Sequence, residues 1–319
     1  MKQNLIIREK PEAGRFRRRT DPRPALFLAA LVCALCLPGR SAAAETHRFG
    51  CVTADGQTEY VDLGEERIED WDAFYAFLSS LPRLKRADLF ATPIRANRIE
   101  ELHERFPGVR FGMTMLLGDH TLRTDAAAFS TLHSPYSSPH DEKDLSLVRY
   151  CTGLYALDLG HNRLEDLSFL RGLPELRVLI LAMNRISDIS VLAELHHLEY
   201  LELFNNRIGD ISCLAGLPWL TDLNLVQNRI DDMTPVTRIG SLKRLWMGRY
   251  HMQLKTPQIT ETARAVQAAL PGCRVDAVSQ AVGGDWRSHP HYETIRRIFS
   301  SGVYEPFPDS PPENIPPGF

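Results

Sequence analysis

LYALDLGHNRL, residues 154–164, is the stretch of sequence that decides the fold. Its pattern returns three more times, with first residues Leu176, Leu198 and Leu220, so the copies follow one another at a fixed 22-residue step. Every copy contains two leucines separated by one residue, and an asparagine follows. The leucine pairs are Leu157/Leu159, Leu179/Leu181, Leu201/Leu203 and Leu223/Leu225, and the asparagines are Asn162, Asn184, Asn206 and Asn228. A fixed step of this length predicts a repeat architecture.

The alternation within each copy indicates a short strand. In a strand, successive side chains point to opposite faces, so the two leucines share one face and their neighbours share the other. One such unit cannot bury its leucines alone, whereas units stacked as parallel strands join them into a continuous core. We expect the asparagine to turn the chain away from the strand while its side chain bonds to backbone groups in the turn.

The pattern Leu-x-x-Leu-x-Leu-x-x-Asn-x-[Leu/Ile]-x-Asp-[Leu/Ile] resembles the internalin-type class of bacterial leucine-rich repeats over about residues 143–247. The segments 122–131, 149–151 and 285–292 also resemble a group of exported leucine-rich-repeat proteins of anaerobic gut bacteria. The resemblance implies an α/β fold, namely a right-handed leucine-rich-repeat solenoid with parallel strands on its concave face. It further implies an exported location and a binding role, and it supplies no catalytic residues.

Both ends of the solenoid are expected to be αβ caps. Before the repeats, the pairs Val61/Leu63, Ala87/Leu89 and Met113/Met115 recur at a constant step that is longer than that of the repeats. The predicted helices span residues 70–81, 94–106, 258–270 and 291–299. Residues 131–142 are rich in Ser, Pro and His and predict a loop, which leaves the entering repeat without a strand.

The predicted organisation has six parts. The parts are a signal peptide (1–44), an N-terminal helix-containing cap (45–130), a loop with an entering half repeat (131–153), four 22-residue repeats (154–241), a C-terminal cap unit (242–276), and a short helix with a proline-rich tail (277–319). Within the last part, we expect the proline-rich residues 306–319 to be disordered.

The first 44 residues carry the features of a secretory signal. A basic stretch precedes the apolar run from Ala25 to Leu37, and Ala42 and Ala44 offer a cleavage site. The protein is therefore expected to be secreted or at the cell surface, with a membrane tether only if this segment is not cleaved. Cleavage would leave 28 basic and 37 acidic residues, which argues against nucleic acid as a partner.

Two charged columns accompany the repeats. An arginine directly follows each repeat asparagine, and an aspartate follows three residues later. We interpret them as a solvated edge, where each arginine lies within reach of an aspartate in its own or the next repeat, although a docking ladder is an alternative. The columns are Arg163, Arg185, Arg207 and Arg229, and Asp166, Asp188, Asp210 and Asp232.

Catalytic and metal-binding motifs with standard spacing are lacking in the sequence. Asp119-His120 and His289-Pro290-His291 come nearest, and we interpret them as polar loop residues because neither has the further ligands of a closed site. We therefore predict no enzymatic activity, no cofactor and no metal. The cysteines beyond the signal segment, Cys51, Cys151, Cys213 and Cys273, permit disulfides, but a reduced, buried thiol is favoured for Cys213.

The outward-facing side chains of the strands are the candidate binding site. They do not face the leucine core, yet several are large and apolar, and others are charged. This mixture is typical of recognition surfaces. The alternative is that the terminal cap, the long loop or the proline-rich tail folds over them. The candidate partner-binding residues are Ile180, Tyr200, Glu202, Phe204, Asp222, Val226, Arg244 and Trp246.

The sequence thus favours a non-catalytic binding module that recognises a protein, a peptide or a glycan outside the membrane. The alternative is a structural component of the envelope or of a larger assembly, without a discrete ligand.

We predict that export removes residues 1–44, because Ala42 and Ala44 supply the small side chains that signal peptidase accepts. N-terminal sequencing of exported protein should find Glu45 first. A first residue of Met1 or Lys2 on extracellular protein would contradict this prediction.

Overall fold

The computed structural model describes residues 45–132, 139–247, 256–277 and 286–318. Its main feature is a seven-stranded sheet in which every pair of neighbours is parallel. The predicted leucine-rich-repeat solenoid is confirmed. The strands, in spatial and chain order, are β7 (Ala128–Ser130), β8 (Ala156–Asp158), β9 (Val178–Ile180), β10 (Tyr200–Glu202), β11 (Asp222–Asn224), β12 (Arg244–Trp246) and β13 (Arg274–Asp276).

The repeat leucines build one continuous core. Leu179, Leu201 and Leu223 lie directly opposite one another on neighbouring strands, and all three are completely buried. The convex side of each repeat is closed by a 3₁₀ helix, whose apolar side chains cover the same core. These helices span Ser146–Tyr150, Ser168–Gly172, Ser190–Glu194, Ser212–Gly216 and Thr234–Arg238.

The repeat asparagines form a ladder of hydrogen bonds between turns. The Asn206 side-chain amide donates to the carbonyl of Leu203 in its own repeat (3.2 Å) and to that of Leu181 in the preceding repeat (2.9 Å). Its Oδ1 accepts from the backbone N–H of Ile186 at 3.1 Å. Asn184 makes the equivalent set of bonds one repeat earlier. Each buried asparagine thereby satisfies backbone groups that the turn leaves unpaired.

A left-handed backbone precedes each of these asparagines. The four residues with positive φ are His161 (61°), Met183 (58°), Asn205 (54°) and Gln227 (61°), and they are the only non-glycine residues of this kind in the described chain. Residues other than glycine and asparagine rarely adopt this backbone conformation. The ladder holds the turn in place despite the steric cost.

The aspartate column has a different role from the one predicted. Asp188 accepts a hydrogen bond from the backbone N–H of Ser190 at 2.8 Å, and Asp166, Asp210 and Asp232 make the same bond in their repeats. Each bond is made to the backbone N–H of the first residue of a 3₁₀ helix, and in the case of Asp188 it lowers the pKa of the carboxylate. The expected pairing with the arginine column is wrong, since Arg185 and Arg207 lie instead near Glu165, at 3.9 and 4.0 Å. The arginines are about half exposed, so the edge is solvated as expected.

Ahead of the repeats lies an αβ unit with a sheet of its own, in the order β3 (Tyr60–Asp62), β4 (Arg86–Ile94), β5 (Arg110–Leu117) and β6 (His120–Arg123). Helix α1 (Trp71–Ser79) begins at an Asp70 cap and buries Phe74 and Leu78. The elements are β1 (Thr46–Phe49), β2 (Val52–Asp55), β3 (Tyr60–Asp62), α1 (Trp71–Ser79), β4 (Arg86–Ile94), α2 (Ala96–Arg105), β5 (Arg110–Leu117) and β6 (His120–Arg123).

The constant step predicted for this unit is only partly right. Val61 does pair with Ala87, but Ala87 pairs with Phe111 rather than with Met113, whose partner is Leu89. A register shift between Leu89 and Pro93 separates the two halves of β4. A displacement of two positions keeps the same side chains on the core face, because side chains alternate with a period of two.

The entering repeat does have a strand, contrary to prediction. Strand β7 pairs with β8 through Phe129 and Leu157, which stand further apart in the chain than the equivalent residues of the later repeats. It was missed because its sequence, Ala-Phe-Ser, contains no leucine pair. Helix α3 (Glu142–Leu145) leads into the convex half of this repeat, and α4 (Thr256–Ala269) precedes β13 at the other end. An αβ unit at each end agrees with the predicted fold class.

All four cysteines of the described chain are unpaired. Cys151 is completely buried, and desolvation raises the pKa of its thiol to about 12. Burial also raises the pKa of Cys213 and of Cys273 to about 11. These thiols remain protonated and unreactive at neutral pH.

Replacement of Asn206 by alanine should lower the free energy of unfolding by about 1–3 kcal/mol, because it leaves buried backbone groups without partners. The matched control is Asn205→Gly at the neighbouring position, where φ is +54° and glycine relieves the steric cost. Chemical denaturation of both variants checks this. Equal, small effects at the two positions would contradict a structural role for the ladder.

Candidate functional site

The candidate residues lie on the concave face of the sheet, with their side chains directed away from the leucine core. The apolar candidates form a separate cluster of buried side chains together with residues from later in the chain. All eight are buried, including Tyr200, Asp222 and Trp246 at 0% exposure. The expectation that Ile180, Tyr200, Glu202, Phe204, Asp222, Val226, Arg244 and Trp246 form a solvent-exposed surface is therefore wrong. The alternative, that the chain folds over its own strand face, is the observed arrangement.

The cover is the C-terminal segment, residues 286–318. Its helix α5 (Pro290–Ser301) begins with His289, which accepts a hydrogen bond from the His291 N–H, and ends at Gly302 with φ of +70°. Proline at the first helical position and glycine beyond the end favour these boundaries. Within the helix, His291, Ile295 and Ile298 are buried. The helix predicted over residues 291–299 is present, and it packs on the concave face.

Aromatic side chains anchor the segment. Trp286 is completely buried between Tyr200 and Trp246, with ring centroids 5.3 and 5.0 Å away. Its indole N–H donates to Glu202 Oε2 at 3.1 Å, and the Tyr200 hydroxyl donates to the same oxygen at 3.0 Å. Further along the segment, Phe307 lies 6.4 Å from the Tyr200 ring. Tyrosine and tryptophan suit such a site because each combines a large apolar surface with a hydrogen-bonding group.

A buried network of charges crosses the interface. The His291 ring lies between two carboxylates, 2.7 Å from Asp222 Oδ2 and 2.5 Å from Asp309 Oδ1. Asp222 also pairs with Arg244, and Asp309 pairs with Lys243 at 2.8 Å. Each charged group of the concave face that is buried here thus meets a group of opposite charge or a hydrogen-bond donor.

These contacts shift the titration of the groups involved. Burial opposes protonation of His291, but its hydrogen bond to Asp222 and the charges of Asp222 and Asp309 outweigh burial, so its pKa is raised. Burial opposes ionisation of Asp309, but hydrogen bonds from Lys243 and His291 lower its pKa to about 2. Burial and the positive charge of Arg244 lower the pKa of His289 to about 4. Of the two imidazoles at this site, His291 is the one whose charged form the surroundings favour.

The far end of the segment is clamped by Asn314, which is 1% exposed. Its side-chain amide donates to Glu199 Oε1 at 2.7 Å and to the His197 carbonyl, while its backbone carbonyl accepts from Arg177 Nε at 2.8 Å. Ser310 donates a hydrogen bond to Glu199 as well. The prediction of disorder for residues 306–319 is wrong for the part that the structure describes, because its polar groups find partners in the turns that lead into strands β9 and β10.

One part of the concave face stays accessible. A groove runs between helix α5 and the first strands of the repeats, and Ile180 is the only candidate residue that lines it. The groove is lined also by Asp158, Tyr292, Arg296 and Phe299.

The site residues that sequence reasoning missed are Trp286, His291, Phe307 and Asn314. A signal for them exists in the composition, since residues 286–318 are rich in aromatic side chains for a terminal segment. Nothing local connects them to the strands, because the hydrogen-bond partners of this segment lie between 42 and 137 residues earlier in the chain.

Two clusters of side chains in the described residues have a composition that could hold a metal ion. One is Asp222, His289 and His291, within the interface described above. There, Arg244 already supplies a positive charge to Asp222. The other is Asp119, His120 and His140, where the N-terminal unit meets the first repeat. Both pairs named in the sequence analysis therefore belong to clusters, each with a further residue brought in by the fold.

The Leucine rich repeat family model matches the chain in two overlapping stretches, residues 152–208 and 174–230. No curated protein matches the sequence. In the part of the chain that the structure describes, helices with the length and apolar character needed to cross a membrane are not found.

Solved structures with a similar fold include two internalins from Listeria monocytogenes. Internalin C2 is 23% identical, and the match covers 52% of this chain and 71% of the internalin C2 chain, with a TM-score of 0.31. The internalin inlF is 20% identical and covers 66% of this chain and 64% of its own, with a TM-score of 0.36.

The leucine-rich-repeat ectodomain of the Arabidopsis thaliana receptor kinase GASSHO1/SCHENGEN3 is also similar. It was solved in complex with CASPARIAN STRIP INTEGRITY FACTOR 2 and is 16% identical, with a TM-score of 0.34. The match covers 69% of this chain and 23% of the ectodomain chain.

The charged network predicts how docking of the C-terminal segment depends on pH. Because the pKa of His291 is raised in the folded state, its stabilising contribution is present below the unfolded value of 6.5 and is lost as pH rises through the raised pKa. The stability advantage of the wild type over His291→Gln should therefore be complete below about pH 6.5 and shrink as pH rises above that value. Asp309, with a pKa of about 2, stays ionised throughout this range.

Thermal unfolding and limited proteolysis of the segment at stepped pH values measure this advantage. His47→Gln in strand β1 serves as the control and should leave the pH profile unchanged. The groups that face His291 are Asp222, Asp309, His289 and Arg244. An advantage that grows as pH rises would refute the assigned role of His291.

Proposed function

We propose that the protein is a non-catalytic binding module for a protein or peptide, exported to the cell surface or beyond. Its binding surface is the concave strand face, which the C-terminal segment occupies as an internal ligand when no partner is bound. The partner competes with the segment for the aromatic and charged side chains of strands β10 to β12, or extends along the groove beside helix α5.

The observation that carries this proposal is the way in which the face holds a polypeptide. Trp286 inserts between Tyr200 and Trp246, and its indole N–H is bonded to Glu202. Around this anchor lie charged groups that pair across the interface, as Asp222 does with His291. A buried aromatic anchor among polar contacts is the arrangement found at protein–protein interfaces.

The composition of the face also supports exchange of the segment. The repeat leucines pack against other apolar side chains, whereas the concave face carries Glu202, Asp222 and Arg244. Water can solvate these charged groups when the segment leaves, so undocking does not strand them without partners. Undocking is therefore expected to cost less free energy than unfolding of the repeats.

The proposal is tested by replacing residues 278–285 with a protease-cleavable linker and cutting it in the folded protein. We expect the cut segment to exchange with a labelled synthetic peptide of residues 286–318. The control peptide carries Trp286→Ala and should bind more weakly by about 2 kcal/mol or more, the range for an aromatic anchor. Exchange is followed by fluorescence anisotropy, and circular dichroism reports whether the repeats stay folded.

The second candidate is a structural component without a discrete ligand. Complete burial of Trp286 and almost complete burial of Asn314 favour it, since a segment so fully enclosed resembles a fixed part of the fold. If the cut segment does not exchange, or if the repeats unfold when it leaves, the structural function is favoured. A concave face that releases the segment and stays folded contradicts it.

A further inference from the structure

Asp119, His120 and His140 bring their ligand atoms together although they come from separate parts of the fold. Asp119 lies in the turn between strands β5 and β6, and His120 is the first residue of β6. His140 lies further along the chain, at the entrance to the first complete repeat. One carboxylate oxygen and one ring nitrogen from each histidine all lie within 4.8 Å of one another.

The distances between these atoms suit a small divalent cation. Asp119 Oδ1 is 2.8 Å from His140 Nε2 and 3.2 Å from His120 Nε2. Two ligands bound tetrahedrally to zinc are separated by about 3.4 Å, given metal–ligand distances of about 2.0–2.2 Å. To admit an ion, the two distances from Asp119 would have to lengthen by about 0.2–0.6 Å. Two imidazoles and a carboxylate are also a donor set that zinc uses.

The surroundings hold His140 in the orientation that a ligand needs. Its second ring nitrogen, Nδ1, is 3.3 Å from Asp144 Oδ2. Histidines that bind metals commonly donate their other N–H to a carboxylate, which fixes the tautomer and turns the free nitrogen to the ion. The His140 backbone is bonded on both sides to the first repeat, through the Asn162 side chain and the Arg163 N–H, each at 2.8 Å.

Gly118 makes room for this ring. A Cβ atom at that position would lie 2.3 Å from His140 Cε1 and 2.5 Å from Nδ1. Gly118 also has φ of +59°, a conformation that glycine adopts readily. The hairpin turn is thus shaped to let His140 approach the Asp119 carboxylate.

The cluster differs in its charge environment from the other candidate. Asp222, in the second cluster, is paired with Arg244, which already neutralises the carboxylate and repels a cation. Among the described residues, Asp119 forms ion pairs only with the imidazoles of His120 and His140. Its side chain is 46% exposed, so that an ion can reach it from solvent. His140, by contrast, is buried.

We propose that Asp119, His120 and His140 form a binding site for a divalent transition-metal ion, with zinc as the ion that fits the donor set. Asp144 acts as the supporting carboxylate of His140. The bound ion links the β5–β6 hairpin to the first repeat and so fastens the N-terminal unit to the solenoid. With three protein ligands, a fourth position is left for water or for a donor from another molecule.

The test is zinc binding to the full-length protein, measured by isothermal titration and by equilibrium dialysis with elemental analysis. We expect about one equivalent of Zn²⁺ per chain at this site. Asp144→Asn should weaken binding by about 10–100-fold, as loss of a supporting carboxylate does. Asp119→Asn and His120→Gln each remove a direct ligand and should weaken binding more than Asp144→Asn does.

Two further measurements keep the result interpretable. Substitution with Co²⁺ should give the visible absorption of a tetrahedral complex in the wild type but not in Asp119→Asn, and thermal unfolding in EDTA should be similar for both proteins. His289→Asn, in the second cluster, should leave zinc affinity unchanged. No stoichiometric binding by the wild type, equal affinity in the ligand variants, or loss of binding in His289→Asn would each overturn the proposal.

Discussion

The asparagine ladder is the constraint on which the rest of the structure depends. Each buried amide, such as that of Asn206, is bonded to the turn of its own repeat and to the turn of the preceding one. A repeat therefore cannot slide along its neighbour without breaking several hydrogen bonds inside the protein. The fixed register aligns Tyr200 with Val178 and Asp222, and it is this alignment that gathers separate side chains into a concave surface.

The parts of the fold that could be predicted are those that repeat. A constant step, in-register leucines and a recurring asparagine at the turn were sufficient to define strands β8 to β11. Strand β7 could not be found in this way, because Ala128, Phe129 and Ser130 lack the leucine pair and stand at a different step. The irregularity in β4 between Leu89 and Pro93 is a local feature of pairing, which no period encodes.

For the site, alternation gave the direction of each side chain but not its exposure. Whether Tyr200 meets water, a partner or its own chain depends on Trp286, which lies much later in the chain and carries no repeat signal. Aromatic and charged side chains on a strand face have the same composition in all three cases. The prediction of disorder for the proline-rich tail failed for a related reason. Proline content reflects local backbone preference, and it gives no information about the hydrogen bond from Asn314 to Glu199.

The order in which the chain is synthesised determines when the concave face can be covered. Every strand that the C-terminal segment covers precedes it in the chain, so the repeats can stack on one another while that face is still wet. Tyr200, Phe204 and Trp246, which are buried in the folded protein, are then uncovered beside the charged side chains of Glu202, Asp222 and Arg244. Docking of Trp286 and helix α5 then covers the concave face. While the segment is undocked, a chaperone or a ligand could reach the strands ahead of the chain's own segment.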